Sequence, residues 1–449
     1  MARFKNFLIW FFEPAYVWLW NLQCKLGTIL AANTELTISK ITNEALMVLE
    51  NSLTFTMTVN RDYDDQYAVV GAKIGDTVNV RRPVRVIGTT GPNLNIEDFN
   101  ETSIPVVLTT QFHTDTQFGT KELALNVDMF SDRVLKPQIA AIANKIDFQG
   151  TTTAANGIAN IVGTPGTPPT GLITYLTAAA YLDAEGTPRD GERSCIIEPF
   201  TSATIIDSLK GLFVPQDKIG SQFQRGLMGR DSAGMNWFND QNIISHTFGF
   251  ATGATTITVT SANQGLATGW AATSTISLTN SANNVTLQAG DVIQLPGTYA
   301  VNPQNRQAYG SNKLRNFVVT TAVTQTGAGA FNVTVSPAII YGGQFQNVTS
   351  APTIGGTVTF TSLPTTGATA AVISPQNIVL HRNCLTLAVA DLELPEGVHF
   401  AGRASDEEIG LSIRVVRQYT INNDAIPTRL DVLFGWAMLY PELGCRVAA

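Results

Sequence analysis

The chain has 449 residues, with 28 Lys plus Arg against 35 Asp plus Glu and a net charge of −7. At 44% hydrophobic and only 14% charged residues, it can bury a large core, is not disordered by composition, and lacks the basic excess of a dedicated nucleic-acid binder. The cysteines (Cys24, Cys195, Cys384, Cys445) and histidines (His113, His246, His381, His399) are widely scattered, which excludes a disulfide framework and a spaced zinc motif.

Residues 7–20, FLIWFFEPAYVWLW, follow Arg3 and Lys5, but Glu13 and Pro14 split the apolar run into pieces too short for a bilayer. Three readings fit: a secretory signal, a packing arm, and a start codon placed too far upstream. Residues 34–53 carry Ile38, Ile41, Ala45, Val48 and Leu49 at helical spacing. The acidic, aromatic stretch RDYDDQY at 61–67 reads as an extended arm. Residues 74–118 read as a long hairpin. Its outgoing strand is Thr77–Arg81, its tip is rich in Gly, Pro and Asn, and its return strand runs from Pro105 to Phe118. A lone two-stranded ribbon is marginal in water, so it should lie on a neighbouring surface, its own or another subunit's.

A helix is predicted from Ser131 to Gln149, with Leu135, Ile139, Ile142 and Ile146 as its stripe and Pro137 marking a kink or a first turn. Helices at 172–182 and 201–213 flank a strand at 194–198. Composition then changes. Residues 251–375 hold four charges, Asp291, Arg306, Lys313 and Arg315. Six short alternating runs recur there, at 255–260, 274–279, 292–295, 316–323, 331–336 and 357–362, and read as a β-barrel or sandwich inserted into an α/β-like body. Strand or helix resumes at 376–394, and the end of the chain is strand-rich, broken by Pro441.

No GxSxG, GxxxxGK[ST] or helix-opening GxGxxG occurs. Asp62, Asp64 and Asp65 lack the glycine and closing glutamate of a calcium loop, and Asp406, Glu407 and Glu408 read as a solvated loop. No catalytic residue, cofactor site or metal site is assigned.

The run ANTELTISKITNEALMVLENSLTFTMTVNRDYDDQYAVVGAKIGDTVNVRRPVR at 32–85 resembles the N-terminal region of tailed-phage major capsid proteins. The branch is the one typified by the coat protein of a Salmonella short-tailed phage. IIEPFTSATIIDSLKGLF at 196–213, GRDSAGMNWFNDQNI at 229–243 and SIRVVRQYTINNDAIPTRLDVLFGWAMLYPELGCRV at 412–447 resemble the same branch in the same order. The resemblance implies an α+β, Hong Kong 97-type fold with an inserted antiparallel β-barrel domain. Its parts would be an N-terminal arm (32–73), an extended loop (74–118), a peripheral domain with a spine helix (119–185), an axial domain (186–250 and 376–408), the insertion (251–375) and C-terminal strands (409–449). Residues 1–31 have no counterpart. It implies a virion protein, not an enzyme, assembled in the host bacterial cytoplasm from many copies of itself. A scaffolding protein and a portal would take part, and the shell would enclose double-stranded DNA without reading its sequence or meeting a membrane. Candidate inter-subunit contacts join Arg81, Arg82 and Arg85 to acids on a neighbour, with Asp62, Asp64 and Asp65 as further contact residues. Two alternatives remain: a secreted β-rich surface protein and the shell protein of a non-viral nanocompartment.

Overall fold

The computed structural model describes residues 49, 53–61, 77–93, 96, 101–119, 136–208, 233–251, 256–309, 313–360, 371–406 and 411–449. The aromatic run at 7–20, nearly all of the helix expected at 34–53, Ser131 and Asp62, Asp64 and Asp65 lie outside these residues. The chain divides into two compact units, one of Met1–Ser52, Gln111–Ile142 and Asp391–Leu433, the other of Leu53–Thr110, Ala143–Ala390 and Phe434–Ala449.

The larger unit is organised by a mixed sheet in the order Ile161–Val162, Gly444–Ala448, Ile373–His381, Arg193–Ile197, Asn236–Asn239, with Ser245–Thr247 added alongside Ile373–His381. The central pairings are antiparallel and the outermost two are parallel. Strand alternation sorts its side chains into two layers. Cys195, Ile197, Val379, Cys445 and Val447 face the helices α2 (Ile173–Ala184) and α3 (Pro199–Ser208), meeting Tyr175, Ala178, Leu182 and Ile205. Ile196, Ile378 and Leu380 face the other way, onto Ala154, Ile158, Phe55 and Val59.

Ala154 and Ile158 come from the long helix α1, Lys136–Gly157, and the residue just after it. Pro137 is the second described residue of this helix. The helix also runs eight residues past the expected end, through Gly150, Thr151, Thr152 and Thr153. Each threonine hydroxyl donates back into the preceding turn, to Phe148 O at 3.0 and 2.7 Å and to Gln149 O at 2.9 Å. That satisfies the side chain without unwinding the backbone. Gly150 is required by crowding: a Cβ there would sit 2.7 Å from both Phe55 and Trp436.

The predicted hairpin is corrected in length. Thr77–Arg81 pairs antiparallel with Ser103–Val107, from Thr77↔Val107 to Arg81↔Ser103, and the return strand then breaks before a separate strand begins at Thr110. The break falls where Val107 and Leu108 pass directly over Gly435, whose Cβ, if present, would lie 2.1 Å from the Val107 carbonyl oxygen. Of the two supports expected for the ribbon, its own chain supplies one: Val80 and Val106 are buried with Ala388, Ala437 and Leu439.

The charge-poor region forms a six-stranded antiparallel sheet in the order Thr359–Phe360, Val292–Tyr299, Leu314–Val319, Gly329–Ser336, Ser274–Asn280, Ile257–Val259. Its two outer strands are themselves joined: Val358 N donates to Ile257 O at 2.9 Å and Val259 N to Gly356 O at 3.2 Å. Ile276, Leu278, Ile293, Leu295, Phe317, Val319, Val333 and Val335 turn inward as one core. Hydroxyl and amide side chains such as Ser277 and Asn332 pair outside, at 2.8 Å, in place of charges.

In the smaller unit, Phe400–Asp406, Leu411–Arg417 and the first part of Ala425–Met438 pair antiparallel over buried Leu411, Ile413, Val415, Leu430 and Val432. Asp431 is fully buried and accepts from Arg414 Nε at 3.2 Å and Arg429 Nε at 2.5 Å.

Candidate functional site

The hairpin carries the arginines singled out in the sequence, and the structure gives them three environments. Arg81 is exposed and lies 3.6 Å from Glu101, which is also exposed, a pair that contributes little. Arg82 and Arg85 converge on one carboxylate oxygen of Glu442, at 2.6 and 3.3 Å. The acid that both reach therefore belongs to their own chain. Arg82 also lies over the Tyr440 ring, 4.7 Å from its centroid. Burial pulls the Arg85 guanidinium below its ordinary range, with Glu442 opposing the shift.

These side chains line a cavity of about 430 Å³ enclosed by the hairpin, the charge-poor region and the Met438–Glu442 turn. Its other charges are the buried pair Arg315 and Glu185, 3.2 Å apart. Burial pushes the Glu185 carboxyl up, with Arg315 opposing. For Arg315 burial acts downward, but Glu185 and its neighbours prevail and raise it. Arg306 Nη2 donates to Val86 O at 3.1 Å and so ties the charge-poor region to the hairpin.

A second cluster sits where the charge-poor region leaves the central sheet. The two chain crossings pair as a short ribbon, Ile373↔Thr247 to Pro375↔Ser245. Asp291, fully buried, accepts from His246 Nε2 at 3.0 Å, Gly249 N at 3.1 Å and Gln288 N at 2.7 Å. Beside it, Arg446 of the last strand donates from Nη2 to Gly290 O at 2.8 Å. Burial pulls the Arg446 guanidinium down to about 10, with Asp291 opposing. Gly290 has φ +100°, and a Cβ there would meet Asn156 Oδ1 of α1 at 2.7 Å and His246 Cε1 of the ribbon at 3.0 Å, so glycine lets this turn approach both.

A third cluster pins the segment before the hairpin. Asp147, on α1 and 1% exposed, accepts from the backbone N–H of Thr54 at 2.9 Å and of Thr56 at 3.1 Å, and from the Thr56 hydroxyl at 2.5 Å. Asn60 then joins Leu385 and Leu387 through backbone bonds of 3.2 and 3.1 Å.

Asp190, Glu192 and His381 bring three ligand-type atoms within 4.8 Å of one another. The histidine is already committed. Asn383 N donates to its Nδ1 at 3.2 Å, so Nε2 carries the proton and donates to Asp190 Oδ2 at 3.0 Å. A protonated Nε2 has no lone pair for a metal, and the trio reads as a structural tie. Its hydrogen bond holds the Asp190 carboxyl below its usual range. Cys195, Cys384 and Cys445 are buried free thiols, each pushed above its ordinary range mainly by burial. Cys195 and Cys445 both pair with Val379, from opposite sides, about two strand spacings apart and beyond disulfide reach.

Sequence reading missed Glu442, Glu185, Arg315, His246, Asp291, Arg446 and Asp147. Asp291 and Arg315 are two of only four charges in an otherwise uncharged segment, but the other two, Arg306 and Lys313, are not buried, so isolation alone did not single them out.

The clusters bind parts of one chain together, and among the described residues none assembles a nucleophile with a base. A family model described as P22 coat protein, gene protein 5, matches residues 30–448. The chain belongs to the P22 coat protein family, and it is a major capsid protein, a building block of a phage shell. No curated protein matches the chain. Among solved structures it is similar to that of Mycobacterium phage Che8, at 9% identity and a TM-score of 0.43 over 88% of this chain and 90% of that one. It is also similar to the capsid of Ralstonia phage GP4, at 7% identity and 0.43 over 88% of each chain. The capsid of cyanophage P-SCSP1u is similar at 10% identity and 0.41, over 87% of this chain and 88% of that one. Family membership does not favour a secreted surface protein or a nanocompartment shell.

Proposed function

We propose that copies of this chain close into an icosahedral tailed-phage shell around double-stranded DNA, acting through assembly and not through catalysis. The family match across residues 30–448 carries this reading. The fold is taken as Hong Kong 97-type. In it the ribbon 77–107 is the root of the extended loop and α1 is the spine. The strands Arg193–Ile197 and Asn236–Asn239 with α3 belong to the axial domain, α2 to the peripheral domain, and the six-stranded sheet is an inserted β-barrel. The hydrogen bonds between the outer strands of that sheet support the barrel reading.

Assembly in the host cytoplasm draws on a scaffolding protein and a portal. The net charge of −7 suits a lining past which phosphates must slide, because dense arginine and lysine contacts would hold them. Each subunit meets its neighbours through heterologous contacts that close by symmetry. Arg81, Arg82 and Arg85, with Asp62, Asp64 and Asp65, are the proposed inter-subunit contact residues. Negative-stain electron microscopy of the full chain, produced in bacteria with a candidate scaffolding partner, tests the reading. Closed shells or tubular polyheads are expected, and a homogeneous monomer under those conditions would sink it.

A further inference from the structure

The cavity beside the hairpin has more donors than its own chain satisfies. Arg82, Arg85 and Arg315 face only Glu185 and Glu442, an excess of one positive charge. Arg315 is 7% exposed, yet its Nε has no partner among the described residues. Thr102, 9% exposed and also in the lining, has a hydroxyl in the same state. A buried donor without an acceptor costs about 1–3 kcal/mol, so this cavity is built to be completed by something that brings acceptors. Trp270, Phe345, Ile340, Met438 and Tyr440 supply apolar and aromatic wall. The volume, about 430 Å³, falls in the range of clefts that enclose a small ligand or a few side chains. The occupant therefore carries carboxylates and aromatic rings on a short stretch of chain.

The sequence holds such a stretch in Asp62, Tyr63, Asp64, Asp65, Gln66 and Tyr67. We propose that this segment of one copy docks into the hairpin cavity of a neighbouring copy, an inference that rests on the shell reading above. An aspartate entering beside Arg82 and Arg85 gives their spare N–H groups a second carboxylate, a charge-assisted contact stronger than a neutral one. A tyrosine ring packs on the aromatic wall with its hydroxyl left for a polar partner. Because the socket is bounded by the hairpin, the charge-poor region and the Met438–Glu442 turn, filling it would brace all three of these parts of a subunit at one inter-subunit contact. Repeated at every equivalent interface, a contact that is weak alone becomes decisive in a closed lattice.

Mixed shells test this directly. One population of chains carries Asp64→Cys, the other carries Ser103→Cys, an exposed position in the cavity lining, and both carry Cys24→Ser. Mild oxidation of shells assembled from the mixture should give a disulfide-linked dimer containing one chain of each kind. The yield should exceed that of the unassembled mixture by about tenfold, reflecting the raised local concentration. Adding Arg85→Glu to the Ser103→Cys chains should lower the yield. Shells that form normally but give no dimer above the unassembled level would overturn the proposal. So would a chain carrying both cysteines that links only to itself, since the segment would then fill its own cavity. Failure of the unsubstituted chain to form shells at all would instead remove the shell reading, a result separable by microscopy from missing cross-links.

Discussion

Asp147 shows how much one side chain can fix. It is buried on α1, and its donors all come from Thr54–Thr56, so it holds the chain entering the hairpin region. Asparagine at 147 would turn an NH2 group toward N–H donors. Asp147→Asn should lose about 1–3 kcal/mol, read as a lower urea midpoint at unchanged slope; an unchanged midpoint would mean the bonds contribute nothing net. Burial raises the Asp147, Glu185 and Asp240 carboxyls above their unfolded values of 3.8, 4.5 and 3.8. Folded values above unfolded ones mean that their stabilising effect is complete below the unfolded pKa and is lost as pH rises through the folded pKa. Asp183 and Asp190 are shifted down, by Arg189 and by His381, so their effect is lost only at more acid pH. The melting temperature should therefore fall as pH rises above the unfolded value of 4.5 for Glu185 toward neutrality, and Glu185→Gln should shrink that fall. A melting temperature that rises steadily over this interval would contradict the assignment. The thiols offer a separate check. Burial disfavours the reactive thiolate at Cys195, Cys384 and Cys445. Alkylation of these three in the native protein should be slow and should accelerate on addition of denaturant; rapid native labelling would show that the central sheet opens.

At the scale of elements, the pieces most legible in the sequence were those whose pattern and burial agree. Ile139, Ile142 and Ile146 predicted the stripe of α1, and all three are fully buried. The six alternating runs of the charge-poor region each fall on a strand. What the sequence concealed depends on contacts between distant segments. The α1 extension passes through glycine and three threonines, poor helix formers taken singly, and their hydroxyl bonds and the packing of Phe55 and Trp436 against Gly150 reverse that preference. The hairpin's return strand looked continuous because its alternation is continuous; the break at Leu108 comes from Gly435, more than 300 residues away in sequence. Gly435→Ala should push the hairpin base off its strand, at the roughly 1–3 kcal/mol typical of overpacking. Faster amide exchange at Val80 and Val106 should accompany the loss. If the melting temperature and these amides stay unchanged, the close approach is not what ends the strand.

At the scale of the whole chain, the site residues escaped detection because each is half of a long-range pair. Arg82 meets Glu442, Arg315 meets Glu185, and Asp291 meets His246; no local spacing announces any of them. The Asp291 cluster has the widest consequence. In sequence the charge-poor region enters and leaves the central sheet through the ribbon at 245–247 and 373–375, and a two-stranded ribbon alone is a weak support. Asp291 fastens the Gln288–Asp291 turn to that ribbon through His246 and Gly249, while Arg446 fastens the same turn to the last strand of the sheet. Removing the carboxylate leaves three donors and a buried guanidinium without their acceptor charge, a loss of the kind that costs about 3–5 kcal/mol when a buried pair is broken. Because the six-stranded sheet has its own closed core, the damage should be local. Asp291→Ala should therefore speed amide exchange at Gly249, Gln288 and Asp291, while Leu278 and Val333 inside that sheet keep their protection. Uniform loss of protection across both sheets would show that the region has no stability of its own; no change at Gly249 would show that the ribbon, not Asp291, sets its position.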